Sequence, residues 1–259
     1  MPDPAHPFWG DCTTDGPWTG RLGPMELWLD VRPGEVEIAA WQNEDALDTR
    51  LGPASTPEPP HDARRARFAV PLDGLALAPA LADRPVVVRP EVPVHLPPGS
   101  SITLLISTPL WVQLVAGTPP VSVFEGPSFR PSDTWFGPSP REGLLCYSSR
   151  TRARLLSTAS PTSPARASTE LTLNNFGADT LVVVRLSLPA PRLALYAEPG
   201  SAEHWSESVT FTRQANDHLA EVQIQRGPPA SAPGGIQVAP PREIDPQNVF
   251  RRALSSLVG

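Results

Sequence analysis

The sequence predicts an all-β protein, and three observations carry that prediction. Proline accounts for 35 of the 259 residues, and proline ends helices and is confined to turns, edge strands and strand starts. Apolar and polar residues alternate in many short runs, which is the periodicity of a half-buried strand. Turn residues separate these runs. The pattern favours two antiparallel, sandwich-like domains, the second of them immunoglobulin-like, and a short C-terminal helix.

The first half of the chain contains the clearest alternation. Residues 25–32 and 36–40 are apolar at every second position, and Pro33-Gly34 separates the two runs. A Pro-Gly pair suits type I or II turns rather than the primed turns of tight hairpins, so we expect a loop longer than two residues. Residues 43–63 are polar and proline-rich and predict a long surface loop. Further strands are predicted at 65–70, 74–78, 85–89, 101–107, 110–114, 121–125, 144–148 and 151–157.

Two proline-bearing positions add expectations about which strands are neighbours. Pro90 and Pro93 place residues 90–96 at a sheet edge, because proline cannot donate to a ladder of hydrogen bonds. The turn chemistry at Thr108-Pro109 predicts that the strands before and after it pair with each other.

A segment rich in Ser, Pro and Ala, residues 157–168, predicts a linker. After it, strands are predicted at 169–173, 180–188, 192–197, 206–213 and 218–226, with a turn at Asn174-Asn175-Phe176-Gly177. This spacing without helices suggests the immunoglobulin-like sandwich. We therefore divide the chain into an irregular β-sandwich domain at 1–157, an immunoglobulin-like domain at 158–240 and a helical tail at 241–259.

The tail pattern predicts a helix over residues 246–258. Asp245 is placed to cap it and Pro246 suits its first position. One face of this helix would carry the apolar residues Val249, Phe250, Ala253, Leu254 and Leu257. Such a helix docks on its own domain, on a partner helix or on a membrane surface.

Composition disfavours several functional classes. The net charge of −6 argues against a nucleic-acid partner, and no run approaches the roughly 18 apolar residues of a transmembrane segment. Cys12 and Cys146 lack metal-binding spacing, the five histidines lie far apart, and the known phosphate, dinucleotide, hydrolase and metalloprotease motifs are missing. We expect no metal and no cofactor. With no signal-peptide pattern at residues 1–12, we expect a cytoplasmic protein with reduced cysteines.

The candidate site lies within residues 107–154, where aromatic and hydrogen-bonding side chains are densest. In Arg130–Gly137, Asp133 suits a turn, Trp135 offers a stacking surface, and Arg130 or Asp133 can orient a polar ligand. On a strand, the three arginines that follow would project from one face and suit an anion: Arg150, Arg152 and Arg154. The alternative is a packed loop whose aromatic residues fill the core, beside arginines that pair with acids on a solvated sheet face.

Function is less determined than fold. The leading hypothesis is a non-enzymatic binding or protein-interaction module. The alternative is a small-ligand or carbohydrate-binding module that uses residues 130–154, and a hydrolase ranks third. The partner would be a protein or a small polar or anionic ligand. A flat apolar patch would favour a protein, and a concave pocket rimmed by Trp and Arg would favour a small ligand.

Three segments carry a family resemblance. They read STPLWV at 107–112, SDTWFG at 132–137 with LCYSSRTRARL at 145–155, and LTLNNFGADTLVVVRLSLPAPRLALYA at 171–197. Over roughly residues 20–240 the chain resembles the uncharacterised prokaryotic family called domain of unknown function 432. That family has no established activity, so the resemblance implies a β-rich fold and no catalytic residue.

Overall fold

The structure is a computed structural model that describes residues 8–12, 16–43, 58–69, 74–137, 141, 143–155, 163–215, 219–244 and 249–253. For residues 16, 149–152, 219 and 249–253 this description covers the backbone and not the side chains. Strands form nearly all of the regular structure there, which confirms the all-β prediction. Among the described residues, no helix has the length and hydropathy needed to span a membrane.

The strands are numbered in chain order. In the first half they are β1 Gly10–Asp11, β2 Gly16–Leu22, β3 Met25–Arg32, β4 Glu35–Gln42, β5 Arg64–Phe68, β6 Ala76–Ala80, β7 Val86–Pro90, β8 Val94–Leu96, β9 Ser100–Pro109, β10 Trp111–Ala116, β11 Val121–Pro127, β12 Ser132–Phe136 and β13 Leu144–Leu155. In the second half they are β14 Arg166–Asn175, β15 Leu181–Val183, β16 Leu186–Leu188, β17 Leu195–Ala197, β18 His204–Ser206, β19 Ser208–Arg213, β20 Leu219–Gln225, β21 Ile236–Ala239 and β22 Val249–Ala253. A short 3₁₀ helix spans Ala190–Arg192.

The first core lies between two four-stranded sheets. One is the antiparallel meander β2-β3-β4-β5, and the other has the order β1-β6-β10-β11. The alternation predicted for 25–32 and 36–40 turns Leu27, Leu29 and Ile38 inward, and each is at most 1% exposed. They pack with Leu114 and Phe124 from the facing sheet. Because two sheets face each other across this core, we call this part the first sandwich.

The turn between β3 and β4 differs from the prediction. Arg32 pairs with Glu35, so the loop contains only Pro33 and Gly34. Gly34 has φ +80°, which glycine tolerates and which the third position of a type II turn requires. The expected longer loop was wrong because glycine at this position lets a type II turn close a two-residue hairpin.

The second core belongs to a branched sheet of twelve strands. Its main path is β16-β7-β13-β9-β14-β18-β17-β21, with β12 on β13, and with β19, β20 and β22 added in turn beyond β14. β8 and β15 form a separate two-stranded sheet whose Leu96, Leu181 and Val183 join the same core.

The immunoglobulin-like prediction for the second half is wrong in its strand directions. β14 pairs in parallel with both β18 and β19, and β13 pairs in parallel with β7. An immunoglobulin-like sandwich has antiparallel sheets. Side chains alternate with period two in both kinds of ladder, so the sequence pattern does not distinguish them.

The longest ladder runs through the middle of the twelve-stranded sheet. β9 and β14 pair antiparallel at ten consecutive positions, from Ser100 with Asn175 to Pro109 with Arg166. This ladder joins residues on both sides of the predicted division at 157/158. The division into 1–157, 158–240 and 241–259 stays a prediction.

The predicted pairing across Thr108-Pro109 is wrong. β9 belongs to the twelve-stranded sheet, whereas β10 pairs with β6 and β11 in a four-stranded sheet. Between them, the fully buried Leu110 donates its backbone N–H to Ala165 O at 2.9 Å. The turn residues therefore mark a change of sheet and not a hairpin.

Two predictions near the ends of the second half also need correction. The predicted linker 157–168 contains the start of β14, because Arg166–Ser168 are strand and Ala167 is fully buried. Residues 156–162 lie outside the described residues. The predicted helix at 246–258 is wrong where the structure describes it, since β22 pairs antiparallel with β20 from Leu219 with Ala253 to Gln223 with Val249. The backbone of β20 offers β22 hydrogen-bond partners that a local helical pattern does not anticipate.

The turn predicted at 174–177 begins later than expected, because β14 continues through Asn175 and none of these four residues has a positive φ. The chain bends at 177–179, and Asn175 organises the bend. Its side chain is fully buried. Its Nδ2 donates to Leu96 O at 2.8 Å and to Asp179 O at 2.9 Å, while its Oδ1 accepts from Gly177 N at 3.0 Å. Both polar atoms of the buried Asn175 side chain therefore have hydrogen-bond partners within the protein, as buried polar groups require.

Candidate functional site

The predicted loop at Arg130–Gly137 contains an edge strand. Within the described residues, β12 pairs only with β13, from Ser132 with Ser148 to Phe136 with Leu144. Its alternation separates two faces. Phe136 is fully buried beside Cys146 and Val87, whereas Trp135 on the other face is 48% exposed. Phe136 therefore packs in the core, whereas about half of the Trp135 side chain is left in contact with solvent and is not required for packing.

One face of this hairpin carries four side chains, which we call the Trp135 face: Asp133, Trp135, Leu145 and Tyr147. Tyr147 is the buried member of the four. Trp135 lies directly opposite Leu145, which is 38% exposed, and Asp133 lies opposite Tyr147. Directly opposed residues share a face of the sheet. The surface thus has an exposed apolar end and a charged end.

Arg84 closes the charged end. Its Nη1 donates to Asp133 Oδ1 at 3.1 Å, and its guanidinium carbon lies 5.2 Å from the centre of the Tyr147 ring. Both members of the ion pair are solvent-accessible, so its effect on folding is small. The pair instead holds Arg84 over the ring and orients both charges at the surface.

Tyr147 connects the Trp135 face to the interior. Its ring centroid lies 5.8 Å from that of Trp111. Burial, together with a hydrogen bond to Asp83 and the charge of that carboxylate, raises the pKa of Tyr147 to about 12, although Arg84 acts in the opposite direction. The phenol therefore keeps its proton to a more alkaline pH than an ordinary tyrosine does, and it can donate that proton to the Asp83 carboxylate.

Arg130 does not join the Trp135 face. It lies on the rim of a cleft of about 550 Å³ whose lining includes Met25, Trp41, Arg64 and Phe124. Trp135 is not part of this lining. The cleft lies at the edge of the first sandwich. The sequence predicted that Arg130 and Trp135 belong to one site, and the structure does not bring these two side chains together.

The three predicted arginines lie on one strand, because β13 runs unbroken from Leu144 to Leu155. Arg154 pairs with Glu91 at 3.5 Å, and both side chains are over 40% exposed. It also lines a second cleft, of about 560 Å³, beside His95. Between Tyr147 and Arg154 the strand is irregular, because the register of β13 with β7 shifts between Ser148 and Arg152. Within the described residues, Arg154 pairs with Glu91 and with none of the side chains around Trp135. The side chains of Arg150 and Arg152 lie outside the described residues.

Sequence reasoning missed Arg84, Asp83 and Leu145 as parts of this surface. Arg84 and Asp83 lie some fifty residues before Asp133 and come near it only because β7, which follows them, pairs with β13. Leu145 carried a usable signal, since it alternates with Cys146 in a predicted strand. Among the described residues, no group of three or more His, Cys, Asp or Glu side chains is placed to hold a metal ion.

Comparison with known proteins gives a family and no activity. No curated protein and no solved structure matches the chain. A family model described as Protein of unknown function (DUF432) matches residues 8–257, nearly the whole chain. The resemblance drawn from the residues at 107–112, 132–155 and 171–197 is thereby confirmed, and the chain belongs to the DUF432 family.

Proposed function

We propose that this protein is a non-enzymatic binding module that contacts a partner protein through the Trp135 face. The observation that carries the proposal is the half-exposed indole of Trp135 directly opposite the exposed side chain of Leu145. Exposed apolar groups that adjoin one another mark contact surfaces more often than scattered ones do. Tryptophan is among the side chains that contribute most to protein interfaces.

Two further features support a protein rather than a small molecule at this surface. The Trp135 face is the side of a hairpin, and neither the cleft at Arg130 nor the cleft at Arg154 includes Trp135. Among the described strands, β12 has no partner on its outer edge, so its backbone can pair with an extended segment of a partner. Arg84 and Asp133 would supply the charged rim that selects and orients the partner.

Site-specific photo-cross-linking tests the proposal. A photoreactive phenylalanine analogue is placed at Leu145 and, as controls of comparable or greater exposure, at Val121 and Ile236, which are 62% and 61% exposed. We expect a discrete cross-linked product from position 145 and not from the controls. Trp135→Ala in the same chain should remove that product without changing the melting temperature, because the indole is half exposed. Equal products from all three positions, or a product indifferent to Trp135→Ala, would refute the proposal.

The remaining expectations stay predictions. We place the module in the cytoplasm, which is supported by Cys12 and Cys146, because these two described cysteines form no disulfide. Cell fractionation tests this. The small-ligand or carbohydrate interpretation of residues 130–154 and the hydrolase interpretation are not needed to account for the Trp135 face.

A further inference from the structure

A cleft of about 550 Å³ opens at the edge of the first sandwich, and its described lining shares no residue with the Trp135 face. Met25 and Trp41 line it from the β2–β5 meander, and Phe124 lines it from β11. Asp62, Arg64 and Arg130 bring charged groups to it. Its volume lies within the range of clefts that hold small organic ligands.

Side chains from the meander bridge the two walls. Arg64 Nη1 donates to the backbone oxygen of Glu125 at 3.1 Å, and Gln42 Nε2 donates to the backbone oxygen of Pro127 at 3.0 Å. Both acceptors belong to β11. Since each bond spans from one sheet to the other, the width of the cleft is set before any ligand arrives. A preformed cleft avoids the ordering cost that a flexible one would incur on binding.

The described lining of the cleft is cationic in an acidic protein. Among the described lining residues, Arg64 and Arg130 carry positive charges and Asp62 carries the one carboxylate, although the chain carries a net charge of −6. Within the described part of the chain, neither arginine forms an ion pair. Arg64 uses one N–H for Glu125 O and holds its guanidinium carbon 5.0 Å from the Phe124 ring centre. Its other N–H groups have no acceptor among the described residues.

We propose that this cleft binds a small organic anion that has an aromatic or apolar body. The guanidinium groups of Arg64 and Arg130 would take the carboxylate or phosphate, whose paired oxygens match their planar N–H groups. Trp41 would provide most of the contact with the apolar body, because Phe124 and Met25 also line the cleft but are 4% and 2% exposed. Asp62 would accept a hydrogen bond from a donor on the ligand. This site is independent of the protein contact proposed for the Trp135 face.

Calorimetric titration of the full chain with phenyl phosphate, benzoate and neutral phenol tests the proposal. We expect at least one of the two anions to bind, and phenol to bind at least about tenfold more weakly, because charge-assisted hydrogen bonds are the stronger ones. If phenyl phosphate alone binds, the anion is a phosphate ester; if benzoate alone binds, it is a carboxylate. If neither anion binds more tightly than phenol, the proposal is wrong.

Variants separate the cleft from general charge effects. Arg130→Ala should weaken anion binding about tenfold or more, since it removes one of the two guanidinium groups, and Arg130→Lys should lie between it and the unaltered chain. Arg64→Ala would also break a hydrogen bond between the two sheets, so weaker binding in that variant has two possible causes. Arg130 is exposed and forms no such bond among the described residues, so Arg130→Ala is the decisive variant. Arg89→Ala removes the same charge from an exposed position on β7, and Trp135→Ala alters the other surface; both should bind normally. Equal weakening by Arg89→Ala and Arg130→Ala would overturn the proposal.

Discussion

Arg242 and Glu125 form a two-point ion pair between segments that are 117 residues apart in the chain. Arg242 Nη1 donates to Glu125 Oε2 at 3.0 Å, Nη2 donates to Oε1, and Nε donates to Leu81 O at 2.8 Å. Glu125 belongs to β11 of the first sandwich, whereas Arg242 follows β21 of the twelve-stranded sheet. The fork of one arginine thus connects the two sheet systems.

Breaking this pair should destabilise the whole chain. We expect Arg242→Ala to lower the free energy of unfolding by about 1.5–3 kcal/mol, because it removes charge-assisted bonds from a site that is only about a quarter exposed. Arg242→Lys should recover part of that loss, since lysine keeps the charge but not the planar fork. Urea unfolding measures both values.

Arg154→Ala is the control for Arg242→Ala. Arg154 pairs with Glu91, and the two side chains are 43% and 49% exposed, so its loss should cost less than about 1 kcal/mol. Equal effects at the two positions would contradict the role assigned to the Arg242 fork.

The stability of the protein should fall at high pH in a way that depends on Tyr147. Its pKa of about 12 in the folded chain exceeds the ordinary value of about 10. The unfolded chain therefore releases the proton first, and the stabilising contribution is complete below pH 10 and is lost between pH 10 and 12. Urea unfolding between pH 8 and 11 should show a shallower decline for Tyr147→Phe.

This titration is simplified by the composition, because the chain contains no lysine. The other tyrosine, Tyr196, also has a raised pKa, caused by burial and the charge of Glu207, so a decline should remain in Tyr147→Phe. Identical slopes for the variant and the unaltered chain would show that Tyr147 is not held neutral by its surroundings.

Removal of β22 should make the protein self-associate. A chain that ends at Asn248 leaves β20 paired only with β19 and exposes its other edge. Open edges recruit strands from other molecules, so we expect a larger mass in light scattering after size exclusion. A chain that ends at Ala253 keeps Val249–Ala253 and should behave like the full chain. The same mass for both truncations would argue that β22 does not protect β20.

A cut in the predicted linker should leave the two halves together. A recognition sequence for a site-specific protease, inserted between Ser160 and Pro161, allows a single cut. β9 lies before the cut and β14 lies after it, and the two strands pair at ten positions. The cleaved protein should therefore elute as one species and separate only in denaturant. Two fragments that separate without denaturant, each folded, would support independent domains at 1–157 and 158–240.

Local features of the fold were predictable from sequence because they depend on near neighbours. The alternation at 25–32 identifies β3 and its buried face, and β9 and β10 occupy their predicted positions. The bend after β14 lies close to the turn predicted at 174–177. At the candidate site, the alternation of Asp133 and Trp135 with Phe136 is likewise local. The sequence left open whether Trp135 is exposed or fills the core, since a buried and an exposed tryptophan both fit the same alternation.

What the sequence determined by itself is the all-β class, the DUF432 membership and most strand positions, all of which follow from period-two alternation, turn residues and recognisable segments. Only the tertiary structure decided which strands are neighbours. It placed β10 away from β9, set β14 parallel to β18 and β19, and turned residues 249–253 into an edge strand. It also separated Arg130 from Trp135 and brought Arg84 to Asp133. The physical reason is that a strand's own residues specify which face is buried, whereas its hydrogen-bond partners are backbone groups that every strand offers alike.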